Sequence, residues 1–252
     1  MIATSKLQTT PPIGGYFGGK AKSRKFIASH FPTAPALVSP FCGFAPAEME
    51  SEIKTLILND KNPATVAALE VIKFSPSWTR AQLKMYGWGP RSFLCAKKRM
   101  ESENQHDRGV AAIAYSAMAH HRGGSISGYS SQQAARAARR DWSYLHAVSE
   151  RLQHARITNH DWRFWLNGHI RTDALIFLDP PYLEGGEHYQ CTITTDDHAE
   201  MLERSNALPN PIIICGYDST LYNEALKEWR RVEFAAKNNH RQDRTEVLWM
   251  NY

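Results

Sequence analysis

Apolar residues in this chain come in two rhythms. Around 36–41, 56–60, 175–182 and 212–215 they form short unbroken runs stopped by proline, glycine or an acid. That is the pattern of strands buried on both faces of a parallel sheet. Helices are predicted over 22–31, from Pro46, and over 64–72, 109–119, 132–151, 196–207 and 220–229. Pro46 and Pro63 suit the first helical position, Asn62 is placed to cap the helix at 64–72, and Thr194 or Thr195 opens the acidic-headed helix at 196–207. Asp218 is a candidate cap for the helix at 220–229. Val232-Glu233-Phe234 and Glu246-Val247-Leu248-Trp249 alternate and are predicted to pair as an antiparallel hairpin. The strand–helix rhythm holds over 1–73 and 172–252 and breaks over 74–171. The expectation is an α/β domain made of 1–73 and 172–252, interrupted by a mainly helical insertion at 74–171, with 120–130 a basic Gly/Ser-rich loop.

Composition narrows the class. A chain of 252 residues suffices for one α/β domain with a substantial insertion. No apolar run approaches the roughly 20 residues of a membrane span, and the first ten residues lack the apolar core of a signal peptide. The expectation is a cytosolic protein. Cys42, Cys95, Cys191 and Cys215 have no paired spacing, so reduced thiols are expected, with Cys42 and Cys215 in the core. The net charge of +5 hides a partition: 74–171 with Lys73 holds 16 Lys and Arg against 6 Asp and Glu, and the remainder 14 against 19. A basic middle interleaved with Trp78, Tyr86, Trp88, Tyr129, Trp142, Tyr144, Trp162 and Trp165 suits a phosphate backbone and unstacked bases. The plainer alternative is a solvated basic face over aromatic core residues. Adjacent His120 and His121 point to different sides of a regular element and have no carboxylate cluster beside them, so no metal site is read there.

The chemistry centres on Leu175-Ile176-Phe177-Leu178-Asp179-Pro180-Pro181-Tyr182. A buried strand ends at an acid and two prolines, in the place where open α/β sheets put their ligands. Proline lacks an amide hydrogen and pushes the residue before it away from the helical region. The result is a stiff loop presenting a carboxylate, a backbone carbonyl and an aromatic face. Upstream, Gly14-Gly15-Tyr16-Phe17-Gly18-Gly19-Lys20-Ala21 nearly matches a nucleotide-triphosphate loop. It lacks the preceding strand, and Ala21 stands where a magnesium-holding hydroxyl is required. Phe41-Cys42-Gly43-Phe44-Ala45 is a turn between a strand and a helix N-terminus, the usual nucleoside cradle, and Asp60 follows about 20 residues on, where such folds hydrogen-bond ribose.

Together these motifs resemble the amino-methyltransferases of DNA, in particular the adenine-N6 enzymes with a Gly-Gly-Lys start and an Asp-Pro-Pro-Tyr loop. The closing Arg244-Thr245-Glu246-Val247-Leu248-Trp249-Met250-Asn251-Tyr252 is similar too. The resemblance implies a Rossmann-like methyltransferase sheet with a C-terminal antiparallel hairpin and an inserted target-recognition region. It implies S-adenosylmethionine as methyl donor, S-adenosylhomocysteine as product and no metal. Tyr16, Lys20, Phe41, Gly43, Asp60 and Asp179 are the expected cofactor contacts, and Asp179, Pro180, Pro181 and Tyr182 the catalytic loop. Tyr217 and Asp218 are expected near the base pocket. A lid is expected at 183–189, and Arg122, Ser127 and Tyr129 are expected to bind double-stranded DNA. Neither a membrane nor an obligate protein partner is expected. The family's turn is Phe-x-Gly-x-Gly. Ala45 departs from it, so the turn must avoid positive φ there or tolerate strain.

The implied reaction is methylation of the N6 amino group of a flipped-out adenine by direct displacement. Three alternatives share parts of the pattern: an N4-cytosine enzyme, which usually has Ser in place of Asp179, an RNA or protein methyltransferase, and a DNA-binding module without turnover. The single-chain layout, with its own recognition insertion and no helicase or nuclease motifs, favours an orphan or simple modification enzyme; restriction-modification and phage-borne roles both fit it.

Overall fold

The computed structural model describes residue 13 and residues 20–122, 125–183, 193–236 and 244–252, backbone only at 120–122, 125–127, 235, 236 and 244. In chain order the elements are α1 (Arg24–Ala28), β1 (Ala36–Ser39), α2 (Pro46–Glu50), β2 (Thr55–Asn59), α3 (Pro63–Phe74), α4 (Pro76–Met85), α5 (Pro90–Arg99), α6 (Gln105–Met118), β3 (Ala119–Arg122), β4 (Ser125–Tyr129), α7 (Ser131–Ala138), α8 (Leu145–Leu152), β5 (Ala155–Thr158), β6 (Leu175–Leu178), α9 (Thr195–Ala207), β7 (Ile212–Tyr217), α10 (Thr220–Ala225), β8 (Arg230–Ala236) and β9 (Arg244–Met250). Seven strands form one sheet in the order β5-β2-β1-β6-β7-β9-β8. The first five are parallel; β9 runs antiparallel between β7 and β8. This is the expected Rossmann-like sheet with a C-terminal antiparallel hairpin. The order reverses between β1 and β6, and the carboxyl ends of those two strands define the crevice where such sheets bind ligands.

The unbroken apolar runs are explained by burial on both faces. Along β6, Leu175 and Phe177 join one core cluster while Ile176 and Leu178 join the other, and all four are buried. Residues of that kind each stabilise the fold by roughly 1.5–3 kcal/mol relative to exposure. Asn62 caps α3, its side chain accepting the Ala64 amide at 2.9 Å ahead of Pro63. α6 is capped in the same way by Asn104 and lies against α3 backbone to backbone. A Cβ added at Gly109 would stand 2.5 Å from the Ala67 carbonyl oxygen.

Four local expectations are corrected. Within the stretch expected as a loop, Ala119–Arg122 and Ser125–Tyr129 are strands that pair antiparallel with an irregular register. The helix expected over 132–151 breaks into α7 and α8. Asp141 accepts the Ser143 amide and starts a separate short turn, Trp142–Tyr144, between them. Ser219 rather than Asp218 caps α10, which ends at Ala225, well before Trp229. β5 was not foreseen, and the sheet takes this edge strand from within 74–171, paired in parallel with β2. Cys42 and Cys215 are buried free thiols, as expected, and Cys95 is free and exposed.

Candidate active site

The turn after β1 is shaped by hydrogen bonds at its base. The Cys42 amide donates to the Asn59 carbonyl at 2.8 Å, and the Ala45 amide to the Cys42 carbonyl at 2.7 Å. The buried Asn59 side chain ties three strand ends together: its Nδ2 donates to the Pro40 and His160 carbonyls, and its Oδ1 accepts from Thr158 Oγ1 and the His160 amide. Gly43 and Ala45 both take φ of 51°, and Ala45 is the one non-glycine with positive φ among the described residues. The turn therefore keeps the left-handed conformation despite its Cβ, at a cost of about 1–2 kcal/mol. Its tight closure and the burial of Ala45 impose it.

Asp60, just past β2, braces this turn from the side. Its Oδ2 accepts the Gly43 amide at 2.9 Å and its Oδ1 the Asn62 amide at 2.8 Å. Burial pushes the Asp60 carboxyl up to about 6, against the lowering effect of those two amides. Each oxygen retains acceptor capacity for a further donor. Phe41 packs with Trp162, ring centres 6.4 Å apart.

The loop after β6 meets the amino-terminal lysine. Lys20 Nζ lies 2.9 Å from Asp179 Oδ1 and 3.8 Å from Glu246 Oε2, with the Lys20 side chain only 6% exposed. Burial alone would lower the Lys20 pKa; the Asp179 carboxylate first, then that of Glu246, outweigh it and hold the ammonium well above its ordinary value. The same ammonium sits 4.6 Å from the centre of the Tyr182 ring. Tyr182 donates its hydroxyl to Asp179 Oδ1 at 3.2 Å and has the Cys215 sulfur at 3.2 Å. Burial pushes both Tyr182 and Cys215 well above their ordinary values, so both are protonated at neutral pH. Tyr217 meets the Tyr182 ring edge-on at 4.4 Å. A buried ion pair of this kind is weak evidence for a stabilising role. Its location at the switch point of the sheet instead marks a place where charge is held ready for a ligand.

The family model of D12 class N6 adenine-specific DNA methyltransferases matches residues 16–240. The chain belongs to that family. No curated protein matches it. Among solved structures, the rRNA methyltransferase aviRa from Streptomyces viridochromogenes aligns at 16% identity over 97% of this chain and 89% of its own, with a TM-score of 0.41.

In this D12 methyltransferase, Lys20, Asp179 and Tyr182 converge, and Gly43 and Asp60 share a hydrogen bond on the neighbouring strand ends. Tyr16 and residues 184–189 of the expected lid lie outside the described residues, as do the side chains of Arg122 and Ser127, whose backbones are in β3 and β4. Tyr129 is half-buried and donates its hydroxyl to the Trp88 carbonyl at 3.1 Å, with its ring against Phe93. Asp218 faces Arg231 at 2.9 Å and Asn223 at 2.7 Å. Sequence reading did not place Cys215 or Glu246 in this cluster. An acid opening an apolar strand run was the available signal for Glu246.

Proposed function

We infer that this D12 methyltransferase methylates the N6 amino group of adenine in double-stranded DNA with S-adenosylmethionine as donor. The observation that carries the reading is the buried Lys20–Asp179–Tyr182 cluster on the Asp-Pro-Pro-Tyr loop, at the switch point and beside the Gly43–Asp60 turn. The turn fits a nucleoside: two left-handed residues leave its backbone open to close approach, and a buried carboxylate with spare acceptor capacity suits ribose hydroxyls. When bound, the donor supplies an electrophilic methyl group on a sulfonium.

The chain's own residues do the rest by positioning and electrostatics. The adenine amino nitrogen is a poor nucleophile because its lone pair is delocalised into the ring. Asp179 and the Pro180 carbonyl accept its two hydrogens, drawing the lone pair out of the ring plane toward the methyl group. The new N–C bond forms as the methyl–sulfur bond breaks, the electron pair staying on the sulfur of S-adenosylhomocysteine, and one of the amino hydrogens then leaves as a proton to water. Pro181 stiffens the loop. Tyr182 lines the base site, its ring fixed by the hydroxyl contacts to Asp179 and Cys215 and by Tyr217. Lys20 holds Asp179 in place, and Tyr16 and Phe41 complete the cofactor side. The base is reached by flipping it from the duplex, at a cost of a few kcal/mol. The basic helical part of 74–171, with Arg122, Ser127 and Tyr129 on or beside its hairpin, takes the DNA backbone and the target sequence.

Incubation with labelled S-adenosylmethionine and unmethylated double-stranded DNA, followed by nucleoside analysis, tests the reading. N6-methyladenine is the expected product. N4-methylcytosine, or label in RNA alone, would overturn the substrate assignment.

A further inference from the structure

Glu48 has no part in the account so far, yet it is among the most deeply buried charged residues of the chain, with 1% of its surface exposed. It lies in α2, directly after the Gly43–Ala45 turn. One carboxylate oxygen is satisfied: Ser39, the last residue of β1, donates its hydroxyl to Oε1 at 2.6 Å. The other, Oε2, is buried and has no hydrogen-bond partner among the described residues. Arg151 is close but committed elsewhere. Its Nη2 donates to the main-chain carbonyls of Glu48, Ser51 and Ile53 and to Ser51 Oγ, leaving the Glu48 carboxylate untouched.

An orphan carboxylate oxygen in a dry setting is costly, and such groups ordinarily pair with a cation or bind a ligand. The surroundings locate it. Its partner Ser39 is the last residue of β1, and α2 begins directly after the Gly43–Ala45 turn, so the carboxylate lies at the carboxyl end of β1, the strand that forms one side of the switch point. With Asp60 on the ribose side and Lys20 beside Asp179, the cationic hydrogen-bond donor still without an acceptor is the α-ammonium at the amino-acid end of the methyl donor. A sulfonium has no N–H or O–H to offer, and the donor's carboxylate would be repelled.

We propose that Glu48 is a binding residue for the amino-acid end of the donor and product, its free Oε2 accepting a hydrogen bond from their α-ammonium while Ser39 fixes the carboxylate through Oε1. This rests on the methyltransferase reading above.

Three nucleosides separate the contributions when titrated into the intact protein. S-adenosylhomocysteine carries both ammonium and carboxylate. Its decarboxylated analogue, an adenosylthiopropylamine, keeps only the ammonium. 5′-Methylthioadenosine has neither. In Glu48→Gln the first two are expected to bind about tenfold or more weakly, the contribution of a charged hydrogen bond. The third is expected to bind as it does to the wild type. Equal weakening of all three, or no weakening, would overturn the proposal and leave Glu48 a buried structural acid. Should Glu48→Gln not fold, Glu48→Asp is expected to weaken the two ammonium-bearing ligands alone, and an unchanged pattern overturns the proposal. A wild-type protein that binds none of the three would instead remove the methyltransferase reading itself.

Discussion

Replacing Glu48 by glutamine also predicts a particular pH dependence of stability in the unliganded protein. Burial, with the charge of Asp179 adding to it and the Ser39 hydrogen bond opposing it, drives the Glu48 carboxyl from its ordinary 4.5 up to about 7. The folded state therefore holds this proton more tightly than the unfolded chain. Below pH 4.5 both states are protonated and the carboxyl carries no penalty. Between pH 4.5 and 7 the unfolded chain ionises first, and each pH unit lowers stability by about 1.4 kcal/mol. Above pH 7 both are ionised and the accumulated loss is roughly 3 kcal/mol. Glutamine does not titrate. The stability difference between Glu48→Gln and wild type should thus move in favour of the variant by about 3 kcal/mol from pH 4.5 to 8, whatever its constant offset from an unpaired amide. Asp60, pushed up to about 6, bends the wild-type curve in the same direction but cancels in the difference. Urea unfolding of both proteins at half-unit pH steps measures it. Parallel profiles would refute the reasoning, because they would mean that the carboxyl does not feel its burial.

Two structural predictions follow from close contacts. Gly109→Ala forces α6 off α3, because its Cβ would stand 2.5 Å from a main-chain oxygen. A loss of about 1–3 kcal/mol is expected, read as a lower urea midpoint; an unchanged midpoint would contradict the contact. Arg151→Met removes the guanidinium that gathers the carbonyls of Glu48, Ser51 and Ile53. It should cost about 2–3 kcal/mol, and a loss below about 0.5 kcal/mol, typical of an ordinary surface substitution, would show that those carbonyls are satisfied without it.

Much of the sheet was legible because its signal is local. β1, β2, β6 and β7 each announce themselves as apolar runs, and β8 and β9 alternate. β5 was not, for a physical reason: four residues long, with Arg156 exposed and only Ala155 and Thr158 buried, it carries no run of its own and is a strand because β2 offers it an edge. The hairpin at 119–129 escaped in the same way, since strand pairing overrides what Gly and Ser suggest locally. The break between α7 and α8 hangs on one side chain, Asp141, competing for the backbone amide of Ser143 in a stretch whose Ala and Arg residues favour helix. At the site, the motifs at Lys20, Gly43, Asp60 and Asp179 could be read as residues, because glycine turns and an Asp-Pro-Pro-Tyr loop constrain the backbone. Glu48, Cys215 and Glu246 could not. Their chemistry comes from burial and from neighbours far away in sequence, such as Ser39 Oγ against Glu48 and the Lys20 ammonium 3.8 Å from Glu246.

The most direct test of the central claim is methyl transfer by Asp179→Ala. The variant is compared with wild type on unmethylated double-stranded DNA, with urea unfolding followed by circular dichroism alongside to show that the fold persists. Removal of the carboxylate that receives the amino hydrogens should lower N6-methyladenine formation by about a hundredfold or more. Near wild-type turnover in a folded Asp179→Ala protein would contradict the account, because the reacting amino group would then be held by some other part of the molecule.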